Sequence, residues 1–184
     1  MSPISPMEKR RPIAGGFLGL RMIAILLAIT GTAAAFALDE VPYGVAKEPW
    51  EEGLGNHRAV VRVEQKADAV LVKIPWRRRD HDPERKQIIV VDSATNQRVT
   101  NVARLRLDRF QGMLVFQPPT APGEYQVYYL PYQPQPGWGN YTGDYLAPHD
   151  TASPDWRSRL APDVAMLPNA SVVRLEARTE FDRH

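Results

Sequence analysis

Ala59-Val60-Val61-Arg62-Val63-Glu64, then Gln65-Lys66-Ala67-Asp68, then Ala69-Val70-Leu71-Val72-Lys73-Ile74 is the stretch that decides the fold. Both outer runs are rich in β-branched residues and repeat with period 2, as strands do. The four polar residues between them are short enough to close a hairpin. Pro75 has no N–H to give a ladder, so the second strand ends at Ile74.

The same alphabet continues downstream. Lys86 to Asp92 reads as a strand buried on both faces, and Ser93 to Gln97 as a polar turn with Asn96 suited to positive φ. Val102 to Arg109 alternates apolar and charged residues, as a half-exposed antiparallel strand should. A turn at Gln111-Gly112 leads into Met113 to Phe116, and Pro118 to Gly123 opens a strand from Glu124 to Tyr132. In that strand Tyr125, Val127 and Tyr129 share one face. Ser153, Pro154 and Asp155 supply an N-cap, a proline at N1 and an acid in the first turn, predicting a short helix to about Leu160. Ser171 to Thr179 alternates once more. Upstream, Leu38 to Asn56 reads as an extended lead-in with Trp50 as its anchor. These elements predict an all-β chain, an antiparallel β-sandwich of about seven to eight strands with one short helix. No βαβ alternation appears.

The N-terminus follows a different logic. Lys9, Arg10, Arg11 and Arg21 precede the uncharged run Met22 to Phe36, and Ala35-Phe36-Ala37 places small residues at a cleavage site. That is the layout of a secretory signal-peptide helix, and it predicts export to a periplasmic or extracellular space after cleavage behind Ala37. A membrane role arises only if the segment stays uncleaved as an anchor. The expected organisation is a signal peptide over 1–37, a lead-in over 38–57 and a β-sandwich over 58–181. From Leu38 onward the chain has 19 Lys+Arg against 20 Asp+Glu, so the basic pI belongs to the leader and gives no support to nucleic-acid binding. There is no cysteine, so burial rather than disulfides must stabilise an exported domain. His57, His81, His149 and His184 show no ligand spacing, and neither a metal nor a cofactor is expected.

Two clusters carry candidate chemistry. Trp76-Arg77-Arg78-Arg79-Asp80 forms a polar corner after the second strand. Its arginines could clamp phosphate or carboxylate groups. Asp80, Asp82 and Glu84 beside them fit local ion pairing equally well, which makes the corner structural or a docking element. Trp138, Tyr141 and Tyr145 lie in a proline- and glycine-containing loop over 133–148. Such rings can stack on sugars or seal the end of a sandwich. Asp80, Asp82 and Asp92 are the nearest approach to a catalytic carboxylate pair. No nucleophile elbow, phosphate loop or dinucleotide fingerprint is present.

Gly55-Asn56-His57-Arg58-Ala59-Val60, Ile74-Pro75-Trp76-Arg77-Arg78-Arg79-Asp80, Ile88-Ile89-Val90-Val91-Asp92 and Pro122-Gly123-Glu124-Tyr125-Gln126-Val127-Tyr128-Tyr129-Leu130-Pro131-Tyr132 carry a family pattern. Together they resemble the N-terminal β-sandwich domain that precedes the catalytic barrel in proteins similar to family 123 glycoside hydrolases. The likeness runs from about Trp50 to Phe181. It implies an exported, carbohydrate-associated protein whose relatives cleave N-acetylhexosaminides with an Asp-Glu pair in a downstream (β/α)₈ barrel. That barrel is not in this sequence, so no catalytic residue carries over, and Val172 to Arg183 looks like the connection into it. The resemblance therefore implies a non-catalytic accessory module, alone or truncated, with a catalytic domain or a glycan as partner. The alternative is a stand-alone glycan-binding module using the aromatic loop.

Overall fold

The computed structural model describes residues 40–76, 78–134, 143–160 and 164–183. In chain order its strands are β1 (Tyr43–Val45), β2 (His57–Val63), β3 (Val70–Ile74), β4 (Ile89–Asp92) and β5 (Val102–Leu107). They continue as β6 (Gly112–Phe116), β7 (Gly123–Tyr128), β8 (Tyr132–Pro134), β9 (Gly143–Tyr145) and β10 (Asn169–Ala177), with one α-helix, α1 (Pro154–Arg159).

β2 and β3 form where the period-2 runs place them, but the expected hairpin does not. The strand order is β4-β7-β2-β10-β3-β6-β5, so β10 lies between them, and β1 adds to β10. Residues 65–68 thus carry the chain from one half of the sheet to the other. β10 joins the halves: Asn169 and Ala170 pair in parallel with β3, and the rest pairs antiparallel with β2 across an irregularity at Val172/Arg174. Its Tyr43–Val45 partner is also parallel. The result is a curled mixed sheet of eight strands rather than a purely antiparallel one. The first half of the expected connection at Val172 to Arg183 is therefore part of the sheet's central strand.

The core explains the curl. Ala59, Val61 and Val63 of β2, Val70, Val72 and Ile74 of β3, Leu114 and Phe116 of β6, and Tyr125 and Val127 of β7 bury into one cluster. One strand half alone could not dehydrate that face, and both halves share it. β4 is buried on both faces as its sequence predicts: Ile88 and Val90 join the main core, while Ile89 and Val91 pack with Trp50 and Tyr128. Trp50 does anchor the lead-in, donating from Nε1 to Gly55 O at 2.6 Å. Gly55 sits at φ 89, and a Cβ there would lie 2.2 Å from the Leu130 carbonyl oxygen. Only glycine fits that approach.

Helix α1 keeps its predicted cap, with Ser153 Oγ accepting from Trp156 N at 3.2 Å. Trp156 then packs on Leu71, Ala103 and Val115. Two other expectations change. The alternation of Val102 to Arg109 slips at a bulge between Arg104 and Arg106, leaving Leu105 exposed while Val102 and Leu107 reach the main core. An inserted residue re-aims its neighbours in this way. The expected strand Glu124 to Tyr132 divides into β7 and β8, the latter paired with β9. Pro131 lies between them and has no N–H to carry the ladder on.

Candidate functional site

Where β3 stops at Pro75, Trp76 turns inward and is wholly buried. Its Nε1 donates to Asp108 O at 2.8 Å, and its ring lies 4.9 Å from that of Tyr129. Gly112 makes room for it: a Cβ there would stand 2.1 Å from Trp76 Cη2. The indole thus fixes the β5–β6 turn to the end of β3.

Arg78 packs beside that indole, its guanidinium carbon 5.0 Å from the Trp76 ring and 5.9 Å from the Tyr129 ring. Its side chain is 0% exposed, which makes its charge costly unless paired. Asp80 supplies the pair, accepting from Arg78 Nε and Nη2 at 2.8 Å each. This is the two-toothed geometry in which guanidinium and carboxylate bind best. Lys86 Nζ donates to Asp80 Oδ2 at 2.8 Å and also to His81 O. Arg78 Nη1 has no hydrogen-bond partner among the described residues. Burial pushes the Asp80 carboxyl up, but hydrogen bonds and charge from Arg78 and Lys86 outweigh it and hold its pKa below the usual value. The arginines therefore divide: Arg78 is inside and paired, Arg79 is exposed, and Arg77 lies outside the described residues.

The structure brings one member of the second cluster, Tyr145, to the same corner. Tyr145, at the end of β9, is half exposed, and Lys86 Nζ stands 4.9 Å from its ring centre. The following Leu146 accepts from Gln87 N at 2.8 Å, tying this segment to the lead into β4. One lysine thus touches both Asp80 and Tyr145. Trp138 and Tyr141 lie outside the described residues.

Sequence reasoning missed the other wall. His57 stacks parallel to Tyr129 at 5.9 Å, and Tyr43 Oη is 3.3 Å from His57 Nδ1. Burial lowers the His57 pKa, with Asp182 opposing and Arg78 adding to the effect. Burial likewise pushes the Tyr129 phenol up. The alternation of Tyr125, Val127 and Tyr129 was the available signal for Tyr129. Nothing local pointed to His57, whose partners come from β1 and from the residue just after β7.

The carboxylates face different ways. Asp80 joins Lys86 ahead of β4, whereas Asp92 closes β4 at its other end. Asp92 is fully buried, accepting from Ala94 N at 2.8 Å and Thr120 Oγ1 at 2.7 Å. Glu176 accepts from Arg58 Nε at 2.6 Å and Arg174 Nε at 2.7 Å. Burial raises its carboxyl, but those arginines prevail and its pKa is lowered. Asp108 is lowered by the backbone N–H groups of Phe110 and Gln111. Asp80, Asp108 and Glu176 each move away from the raised pKa that a glycosidic general acid needs. Among the described residues no group of three or more histidines and carboxylates could hold a metal.

Residues 48–178 match the family model described as the N-terminal domain of glycoside hydrolase 123. No curated protein and no solved structure matches the chain.

Proposed function

This chain belongs to the glycoside hydrolase 123 N-terminal domain family, and on that premise we propose that it is a non-catalytic accessory domain that docks a carbohydrate-active catalytic domain. The observation that carries this reading is the exposed aromatic rim of the corner. Phe110 and Phe181 are 80% and 81% exposed, and Tyr43 is 41% exposed. All three belong to one end of the sheet. Phe110 follows Arg109, whose carbonyl accepts from Arg78 N, and Tyr43 reaches His57. Asp182, next to Phe181, acts electrostatically on both Tyr43 and His57. Large rings held out from a rigid, buried base are the usual makings of an interface anchor.

Mixing the chain with a separately produced family 123 catalytic domain tests the reading. A complex should form and be lost in the double variant Phe110→Ser/Phe181→Ser, with the melting temperature unchanged. Equal binding by the double variant would overturn it. Export belongs to the same proposal and is supported by the leader-like residues 9–37. N-terminal sequencing of the secreted form should begin at Leu38.

A second reading, glycan binding through Trp138, Tyr141 and Tyr145, is favoured by the half-exposed Tyr145 ring. A glycan array with a Trp138→Ala control separates the two, because docking does not require sugar.

A further inference from the structure

The opposite end of the sheet holds a cleft of about 750 Å³ between the β2–β3, β4–β5 and β6–β7 connections. That volume is of ligand size. Its floor is a chain of fixed amides: Asn101 Nδ2 donates to Gln117 Oε1 at 2.6 Å, and Gln117 Nε2 donates to Asp68 Oδ1 at 2.6 Å. Asn101 Oδ1 in turn accepts from Ser153 N at 2.9 Å, at the cap of α1. Trp156 Nε1 holds the Asp68 carbonyl at 2.9 Å. The floor is therefore pre-organised by a buried indole and a helix cap rather than by mobile loops.

The inventory of groups is one-sided. Each amide spends one N–H within the chain and keeps a second. The Asp68 charge is met by Arg159 at 3.4 Å and by Gln117. Lys66 and Arg98 line the cleft as exposed cations, and neither has a carboxylate partner among the described residues. Threonines and a glutamine complete the polar wall. Surplus donors and unpaired positive charge select an oxyanion, while alternating amides and hydroxyls suit a ligand rich in hydroxyls. Among the described residues the lining contains no aromatic on which a nucleobase could stack.

We propose that this cleft binds an acidic saccharide, a sugar chain bearing carboxylate or sulfate groups, with Lys66 and Arg98 holding the anion and Asn101 and Gln117 the hydroxyls. The site lies at the far end from the docking rim, so it does not depend on that reading.

Calorimetric titration of the full chain with tetragalacturonate, a sulfated galactotetraose and neutral galactotetraose tests it. Both acidic tetramers should bind, the neutral one at least ~10-fold more weakly. Binding of just one acidic tetramer supports the site and identifies its anion. Lys66→Ala/Arg98→Ala should weaken acidic binding at least ~10-fold with no change in melting, since both side chains are exposed. Trp138→Ala should leave it intact. No binding at millimolar ligand, equal affinity for the neutral tetramer, indifference to the Lys66/Arg98 change, or loss on Trp138→Ala would each overturn the proposal.

Discussion

Asp80→Asn removes the carboxylate that Arg78 and Lys86 share while keeping its size. The Lys86 head can turn toward water, since its side chain is 14% exposed, but the Arg78 side chain at 0% cannot. Nor has Arg78 another acceptor to turn to, because its Nη1 is already unpartnered. Removing one member of a buried pair costs about 3–5 kcal/mol, and the remaining amide oxygen argues for the lower end, about 3. For a domain of this size that lowers the melting temperature by roughly 6–12 °C. Urea denaturation across pH 3–7 measures both size and sign. The folded Asp80 pKa lies below its unfolded value of about 3.9. Its contribution is therefore complete above the unfolded pKa and is lost as pH falls through the folded one. The stability gap between wild type and variant should be full at pH 6–7 and narrow below about pH 4. The double change Arg78→Met/Asp80→Leu should recover much of the loss, because it leaves no buried charge. A gap under about 1 kcal/mol at pH 7 would refute a buried, paired Arg78. So would a gap that stays constant down to pH 3.

Gly112→Ala should cost at least about 2–3 kcal/mol by chemical denaturation, because a Cβ at 2.1 Å from the indole displaces a ring that has no free side. A near-neutral result would mean that Trp76 can move. Ser153→Ala should cost about 1 kcal/mol through loss of the α1 cap, read by the same assay. The purified chain should not turn over an aryl N-acetylgalactosaminide, since Asp80 and Asp92 are already committed to cations, backbone amides and a hydroxyl. Measurable turnover abolished by Asp80→Asn or Asp92→Asn would contradict that.

Strand positions were legible because each obeys local rules. β-branched alternation marked β2 and β3, Pro75 marked the end of β3, Asn96 took its positive φ of 56°, and Ser153-Pro154-Asp155 opened α1. Partner choice was not legible, because period 2 says which face is apolar and not which strand lies alongside. The hairpin expected between β2 and β3 failed for that reason: an adjacent partner was assumed where β10, about a hundred residues away, competes successfully. In the corner, Trp76, Arg78 and Asp80 were legible as a group with ion pairing as one reading. That Arg78 turns inward while Arg79 stays exposed depends on the Trp76 ring, the Arg109 carbonyl and Lys86, none of which fixes its direction from sequence. His57 stayed hidden because its stack is assembled from three strands or their ends.

The late arrival of β10 bears on how the domain presents its surface. Its Leu175 and Ala177 are buried, and the strand hydrogen-bonds to β1, β2 and β3. Neither half of the sheet is covered at its inner edge until this strand is in place, so non-local pairing must close the fold. The turn immediately after β10 carries Phe181, with Asp182 accepting from Thr179 N at 3.1 Å. An exposed ring on a loose tail would lose much of its value as an anchor to the entropy of ordering. Here the ring stands four residues beyond the strand that holds both halves together, and a capped turn fixes the step between them. The same closure that completes the core thus sets the aromatic rim proposed for docking. Accordingly, a change that weakens β10 should impair docking even when Phe110 and Phe181 are intact.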